Sequence, residues 1–115
     1  FLGGGEKGSL LVLTHQGAKS GRVRDTPLMY FREGDEYLIV ASAGGDPRHP
    51  GWYHNLMANP DAAINLNGET IPVRARDAGA DRERLWKKIV AAKQQFGAYE
   101  TKTDRVIPVV VLAPR

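Results

Sequence analysis

The sequence contains no cysteine. This absence excludes disulfides, thiolate zinc sites, iron–sulfur clusters and a thiol nucleophile, and it fits the reducing conditions of the cytoplasm. No apolar run approaches the roughly 20 residues that a membrane-spanning helix needs, and no signal peptide is recognisable. The 16 basic and 13 acidic side chains leave a formal net charge of only +3. This mild excess favours an anionic ligand and is too small to indicate nucleic acid by itself, so we expect a cytoplasmic protein with a small-molecule partner.

Two residue patterns resemble functional motifs, but the surrounding sequence and the spacing exclude those functions. Residues 3–8 have the glycine spacing of a dinucleotide-binding loop, but no strand precedes them and a strand, not a helix, follows. The histidines at positions 15, 49 and 54 lack the spacing of metal ligands, because positions 49 and 54 fall on different faces of a helix. We therefore predict packing or surface positions for the histidines and no bound metal.

The chain does contain a regular succession of short apolar segments and turn residues. Strands are predicted over residues 9–14, 24–31, 37–41, 62–66, 70–76 and 106–112, and helices over 50–58 and 81–96. Asn67-Gly68 is a strong hairpin signal, and Pro27 places its strand at an edge or a bulge. Consecutive strands joined by tight turns must be antiparallel, and closure into a barrel removes exposed edges. The 115 residues thus predict one mainly β (α+β) domain of about six antiparallel strands and two helices.

The segment 17–24 is the most informative part of the sequence. It carries three cations, Lys19, Arg22 and Arg24, beside two glycines. Glycine allows successive backbone N–H groups to turn toward one point and form an anion nest, and arginine adds a bidentate fork for phosphate. The alternative is a solvated basic loop that binds nothing.

Two further groups of residues suggest a cavity. Residues 42–45 end a strand with a Gly-Gly turn before a helix, an arrangement that would place free N–H groups beside a ligand. Trp52 could line a flat aromatic ligand, or it could only dock the helix on the barrel. Tyr99 is predicted in the loop before the last strand, where it could donate a proton to a reduced oxygen or serve as a packing residue.

Together these segments resemble the deazaflavin-dependent nitroreductase family of actinobacteria. The matching stretches follow one another along nearly the whole chain: 11–14, 17–28, 42–45, 49–56, 58–60 and 103–109. The resemblance implies a split β-barrel of the FMN-binding type and the anionic coenzyme F420, an 8-hydroxy-5-deazaflavin. Members of the family also carry an N-terminal helix that helps to cover the acceptor site, and we expect this chain to start after that helix.

The resemblance also implies the activity and the site residues. The expected reaction is hydride transfer from the reduced coenzyme to an organic acceptor such as a quinone or a nitro compound, with Tyr99 as the catalytic residue near the acceptor. Lys19 and Arg24 match contacts on the phosphate side of the coenzyme, and residues 26–28 would run beside its ring. The full predicted coenzyme-binding set is Lys19, Ser20, Gly21, Arg22, Arg24, Thr26, Pro27, Leu28, Ser42, Ala43, Gly44, Gly45 and Trp52.

Three other functions are compatible with parts of this pattern. An FMN-dependent oxidoreductase on a related split barrel would need the same basic loop. A non-catalytic barrel that carries a coenzyme or a fatty acid would bind without turnover. A nucleic-acid-binding barrel is disfavoured because the sequence lacks a basic face studded with aromatic residues. A quinone acceptor leaves open a peripheral association with the inner face of the cell membrane.

Overall fold

The computed structural model describes residues 10–42, 48–101, 103 and 105–115. Within these residues the chain forms, in order, β1 (Leu10–Gln16), β2 (Val23–Met29), β3 (Phe31–Glu33), β4 (Glu36–Val40), α1 (Gly51–Ala58), β5 (Asp61–Leu66), β6 (Glu69–Asp77), α2 (Arg82–Ala92), α3 (Gln95–Thr101) and β7 (Val109–Pro114). The predicted hairpin between β5 and β6 forms, with Asn67 at φ 52° and Gly68 at φ 88°. None of the helices in this described part of the chain has the length and apolar character needed to cross a bilayer.

The seven strands form one antiparallel sheet in the order β2-β1-β5-β6-β7-β4-β3. Strands β2 and β3 lie at opposite edges of this sheet, yet only Tyr30 separates them along the chain. Because three consecutive Cα atoms span at most about 7 Å, the two edges must meet, and the sheet must curl around. The predicted mainly β split barrel is therefore confirmed.

Two apolar clusters hold the fold together. The first fills the inside of the curled sheet and includes Leu11, Leu13, Ile39, Val73 and Leu112. The second lies between the outer face of the sheet and the helices α2 and α3, and it includes Leu38, Val111, Leu85, Ile89 and Phe96. Strands β4 and β7 contribute to both clusters, so their sequences are continuous apolar runs and do not alternate with polar residues.

The structure divides the predicted strand 24–31 at Tyr30, which raises the number of strands from about six to seven. Tyr30 is buried in the inner cluster and packs edge-on against Tyr37, with 5.7 Å between ring centroids. The division is needed because the residues before Tyr30 pair with β1, whereas those after it pair with β4. Pro27 lies on β2, an edge strand, as its missing N–H predicts.

The predicted helix 81–96 is also divided, so that the described residues form three α-helices where two helices were expected. Helix α2 ends at Ala92, and α3 turns back against it. A β-carbon on Gly97 would lie 3.3 Å from Val90 Cγ1, whereas two residues seven positions apart on one straight helix are separated by about 10 Å. Glycine thus permits the close contact between α2 and α3. Tyr99 consequently lies on a helix and not in the predicted loop.

Candidate functional site

The loop between β1 and β2 is closed by its own backbone. The Gly17 N–H donates to the carbonyl oxygen of Arg22 at 2.8 Å, and the Gly21 N–H donates to the carbonyl oxygen of Gly17 at 3.0 Å. Gly21 has a φ of 71°, and a β-carbon on Gly17 would lie 2.5 Å from Ser20 Oγ. Gly21 therefore favours glycine through its left-handed backbone, whereas the contact at Gly17 can be relieved by rotation of the Ser20 side chain.

The backbone N–H groups of this loop are mostly engaged within the protein. The Ala18 N–H donates to Asn55 Oδ1 at 2.9 Å, and the Arg22 N–H donates to Ser20 Oγ at 3.2 Å. Together with the two glycine N–H groups, four donors of the loop already have protein acceptors. The predicted nest of free N–H groups is therefore restricted to Lys19 and Ser20 at most, and the positive charge of the site comes mainly from side chains.

A cavity of about 580 Å³ lies between this loop and the beginning of α1, and we refer to it as the basic cavity. Its lining consists of Gly17, Ala18, Lys19, Ser20, Arg24, Gly51, His54 and Asn55. Lys19 and Arg24 bring two cations to it, and the N-terminus of α1 at Gly51 adds the partial positive charge of a helix end. Gly21 and Arg22, which were predicted with them, are not among the lining residues.

A second cavity of about 210 Å³ lies where the two edges of the barrel meet, and we refer to it as the junction cavity. Its lining consists of Pro27, Leu28, Met29, Val40, Ser42, Gln95, Phe96 and Tyr99. The rings of Phe96 and Tyr99 pack edge-on, with centroids 5.6 Å apart. Gln95 Nε2 donates to the Tyr99 hydroxyl oxygen at 3.4 Å. The fold thus brings Tyr99 together with Leu28 and Ser42, three predicted residues that are distant in sequence.

Strand β2 connects the two cavities. Arg24, Thr26 and Leu28 pair with the buried β1 residues His15, Leu13 and Leu11, and their side chains therefore lie on the inner face of the sheet. With a rise of about 3.3 Å per residue, Arg24 and Leu28 are separated by about 13 Å along the strand. The basic cavity and the junction cavity thus lie along the same strand, about 13 Å apart at these two residues.

Arg105 ties the wall of the junction cavity to the segment before α1. Its Nη2 donates to the backbone carbonyl oxygen of Ser42 at 2.8 Å, and its Nη1 lies 2.8 Å from His49 Nδ1. Burial lowers the pKa of His49 below its ordinary value, and the charge of Arg105 lowers it further. A neutral His49 can accept the hydrogen bond from Arg105 through its unprotonated Nδ1.

The remaining predicted residues are placed as follows. Trp52 is 8% exposed and packs in the inner cluster, where it docks α1 on the barrel, and it is not among the residues that line either cavity. The Thr26 hydroxyl lies 2.8 Å from His15 Nε2. Ala43, Gly44 and Gly45 lie outside the described residues.

The sequence did not single out three residues that the structure brings to the site, namely Asn55, Gln95 and Arg105. Asn55 and Arg105 lie within two of the stretches that carry the family resemblance, so a signal for them was present. Gln95 lies outside those stretches, and its place in the junction cavity depends on the turn between α2 and α3.

Comparison with known proteins agrees with this geometry. The sequence profile of the F420H(2)-dependent quinone reductases matches residues 3–114. The F420H(2)-dependent quinone reductase Rv1261c of Mycobacterium tuberculosis is 48% identical over 109 residues, which cover 91% of this chain and 73% of that protein. The structure of an F420-H2 dependent reductase, FDR-A, superimposes with a TM-score of 0.80 at 44% identity and covers 90% of this chain and 92% of its own. A structure of a domain-swapped dimer has the same TM-score and identity, and it covers 90% of this chain and 78% of its own.

Proposed function

The chain belongs to the F420H(2)-dependent quinone reductase family, and we propose that it transfers a hydride from reduced coenzyme F420 to a quinone in the junction cavity. Membership of the family confirms the expected oxidoreductase activity and the expected coenzyme, so FMN is not needed to explain the site. The observation that carries the proposed site is the alignment of the two cavities along β2, with Lys19 and Arg24 at one end and Tyr99 at the other.

The residues present fit the two ends of such a coenzyme. Lys19 and Arg24 would hold its anionic tail in the basic cavity, since arginine and lysine are the side chains that most often bind phosphate. The junction cavity combines apolar walls, Leu28 and Phe96, with a few polar groups, a composition typical of sites for flat organic ligands. When bound, the coenzyme supplies the hydride, and the protein supplies binding and orientation.

Tyr99 is suited to complete the reduction of the acceptor. Two-electron reduction of a quinone to the hydroquinone consumes one hydride and one proton, so a proton donor near the quinone oxygen assists the reaction. Tyr99 lines the junction cavity, where its hydroxyl group can serve as that donor.

The proposal is tested by binding and turnover with the purified protein. Reduced coenzyme F420 is titrated into the protein, and its absorbance is then followed after addition of menadione. We expect saturable binding and menadione-dependent oxidation of the coenzyme, with FMN bound far more weakly. Absence of both coenzyme binding and turnover would overturn the enzymatic assignment.

We further propose peripheral contact with lipid at the cytoplasmic face of the membrane, where a lipid-soluble quinone is available. Leu10 is 57% exposed and Val12 is 37% exposed. In the β1–β2 pairing they lie opposite Met29 and Pro27, two residues that line the junction cavity. An apolar strip on the surface thus leads to the acceptor site.

This contact is tested by co-sedimentation with liposomes. Leu10→Ser/Val12→Ser should reduce the bound fraction, and a matched exposed substitution outside the β1–β2 pairing, Val106→Ser in the segment before β7, should not. If the double variant changes only the oligomeric state and not the liposome binding, the strip is an interface between protein chains and the lipid proposal is wrong.

A further inference from the structure

A network of side chains connects the barrel interior to the basic cavity, with His15 at its centre. His15, on β1, is 4% exposed. Its Nε2 lies 2.8 Å from Thr26 Oγ1 on β2, and its Nδ1 lies 3.1 Å from Asn55 Nδ2 on α1. Asn55 Oδ1 in turn accepts a hydrogen bond from the Ala18 N–H at 2.9 Å. Ala18 and Asn55 both line the basic cavity, so the network ends where the anionic tail is proposed to bind.

The direction of every hydrogen bond in this network is fixed by one group that can only donate. Because the Ala18 N–H is a donor, the Asn55 oxygen must face it, and the Asn55 NH₂ group must face His15. That NH₂ group needs an acceptor, which requires a lone pair on His15 Nδ1. The proton of the neutral imidazole then lies on Nε2 and is donated to the Thr26 hydroxyl oxygen. Neutral His15 is therefore the form that satisfies all three bonds.

The surroundings of His15 favour this neutral form. Burial lowers the pKa of His15 below its ordinary value of 6.5, and the charge of Arg24 lowers it further, while Asp25 raises it. Both charged residues come from β2, and α1 presents the uncharged amide of Asn55. His15 is thus neutral at neutral pH and acquires its proton only under acidic conditions.

We propose that His15 is a positioning residue whose neutral form holds Asn55, and through Asn55 the loop 17–22, in the conformation that binds the anionic end of the coenzyme. The inference rests on the proposed function, which places that end between Lys19 and Arg24. Protonation would set an N–H group of His15 against the NH₂ group of Asn55. To avoid this clash the Asn55 amide must turn, and its oxygen then leaves the Ala18 N–H.

The sign of the pH dependence separates this mechanism from simple electrostatics. A positive charge added at His15 attracts an anion, so charge alone would strengthen coenzyme binding as the pH falls. Loss of the bond between Asn55 and Ala18 releases the loop and weakens binding. We expect the second effect to dominate, with affinity about fivefold lower at about pH 5 than at about pH 8, the size expected from one lost hydrogen bond.

The first test needs no coenzyme and no variant. In ¹⁵N-labelled protein, the ring nitrogens of His15 report its tautomer, and the amide of Ala18 reports the bond to Asn55. We expect the Nε2–H tautomer at about pH 8, and we expect the Ala18 amide to shift with the same midpoint as His15 on acidification. A different tautomer, or an Ala18 amide that does not respond to the titration of His15, would overturn the inference.

The second test compares the affinity for coenzyme F420, measured by fluorescence, in two matched variants. His15→Asn offers Asn55 an uncharged acceptor that cannot be protonated, so its affinity should stay near the native value and lose the decrease at acidic pH. His54→Asn removes another histidine of the same cavity that lies outside the network, and it should retain the decrease. The proposed role of His15 is contradicted if the coenzyme affinity of His15→Asn still decreases on acidification. It is also contradicted if the coenzyme affinity of His54→Asn no longer decreases.

The two proposals fail in different ways. If Lys19→Ala and Arg24→Ala leave the coenzyme affinity unchanged at about pH 8, the placement of the anionic tail is wrong, and the role of His15 in binding it is wrong as well. If those variants weaken binding but the affinity of the native protein does not decrease on acidification, the placement stands and only the role of His15 is wrong.

Discussion

Arg105 donates a hydrogen bond from Nη2 to the backbone carbonyl oxygen of Ser42 across 2.8 Å. Since the same guanidinium also contacts His49, one planar group joins the end of β4 to the segment that enters α1. A lysine has the charge but lacks the fork that reaches two acceptors in fixed directions.

We therefore predict that Arg105→Lys lowers the free energy of unfolding by about 2 kcal/mol, the size expected for charged hydrogen bonds away from water. It should also raise the KM for the quinone, because Ser42 lines the junction cavity. Urea denaturation and steady-state kinetics measure the two effects. Arg74→Lys, at an exposed ion pair with Asp61, is the control and should change both little. Equal losses in the two variants would mean that the fork at Arg105 has no special role.

The cations of the basic cavity should contribute to coenzyme affinity according to their position and not merely their charge. We expect Lys19→Ala and Arg24→Ala each to weaken binding by about tenfold, with a smaller loss at high salt because the charges are exposed. Arg22→Ala removes the same charge from the same loop at a residue that does not line the cavity, and it should weaken binding much less. Fluorescence titration measures the coenzyme affinity of all three variants at two salt concentrations. If all three lose the same affinity, the loop attracts the coenzyme only through its total positive charge, and the positions of the side chains do not matter.

Removal of the Tyr99 hydroxyl should affect the chemical step more than binding. We predict that Tyr99→Phe lowers kcat with menadione by about 10²-fold, the contribution typical of a positioned proton donor, and leaves the coenzyme Kd nearly unchanged. Tyr53→Phe is the matched control, because the Tyr53 hydroxyl donates to Asp77 at 2.8 Å and lines neither cavity. If stopped-flow oxidation of the coenzyme proceeds at the native rate in Tyr99→Phe, proton donation by this residue is excluded.

Glu33 makes the stability of the folded protein depend on pH in the acidic range. Its carboxylate oxygens lie 2.7 Å from Arg84 and 2.7 Å from Lys88, and these hydrogen bonds lower the pKa of Glu33 below its ordinary value of 4.5. A group with a lowered pKa in the folded state stabilises the protein above its ordinary pKa, and this contribution is lost as the pH falls through the lowered value.

Glu33→Gln should therefore reduce the free energy of unfolding at neutral pH by less than about 1 kcal/mol, since both cations are well exposed. The difference between the native protein and the variant should shrink progressively as the pH falls below 4.5, the ordinary pKa of the group. Urea unfolding at neutral pH and across the acidic range measures it. A difference that persists in acid would assign the effect to packing and not to charge.

Local patterns in the sequence were sufficient for most of the secondary structure. The short apolar run of β1, the hairpin at Asn67-Gly68 and the edge position of Pro27 each follow from the chemistry of a few neighbouring residues, and each is present in the structure. The loop with Lys19 and Arg24 was predictable for the same reason, because its glycines and cations are contiguous.

Features that depend on tertiary contacts were not predictable in this way. Nothing near Tyr30 marks the point at which the chain passes from one edge of the sheet to the other, because Tyr30 favours a strand on both sides. The position of Tyr99 beside Ser42 likewise follows from closure of the barrel and from the packing of Gly97 on Val90. The role of Asn55 required its amide orientation, which only a three-dimensional network fixes.

The place of β7 in the sheet has a consequence for the biosynthesis of the protein. This strand comes last in sequence among the described strands, yet it lies between β6 and β4, so without it the sheet consists of two pieces, β2-β1-β5-β6 and β4-β3, with no strand pairing between them. A nascent chain whose β7 is still inside the ribosomal exit tunnel can assemble those pieces but cannot unite them. The barrel must therefore be completed after β7 has been synthesised, and until then the unpaired edges of β6 and β4 are open to chaperones and to other nascent chains.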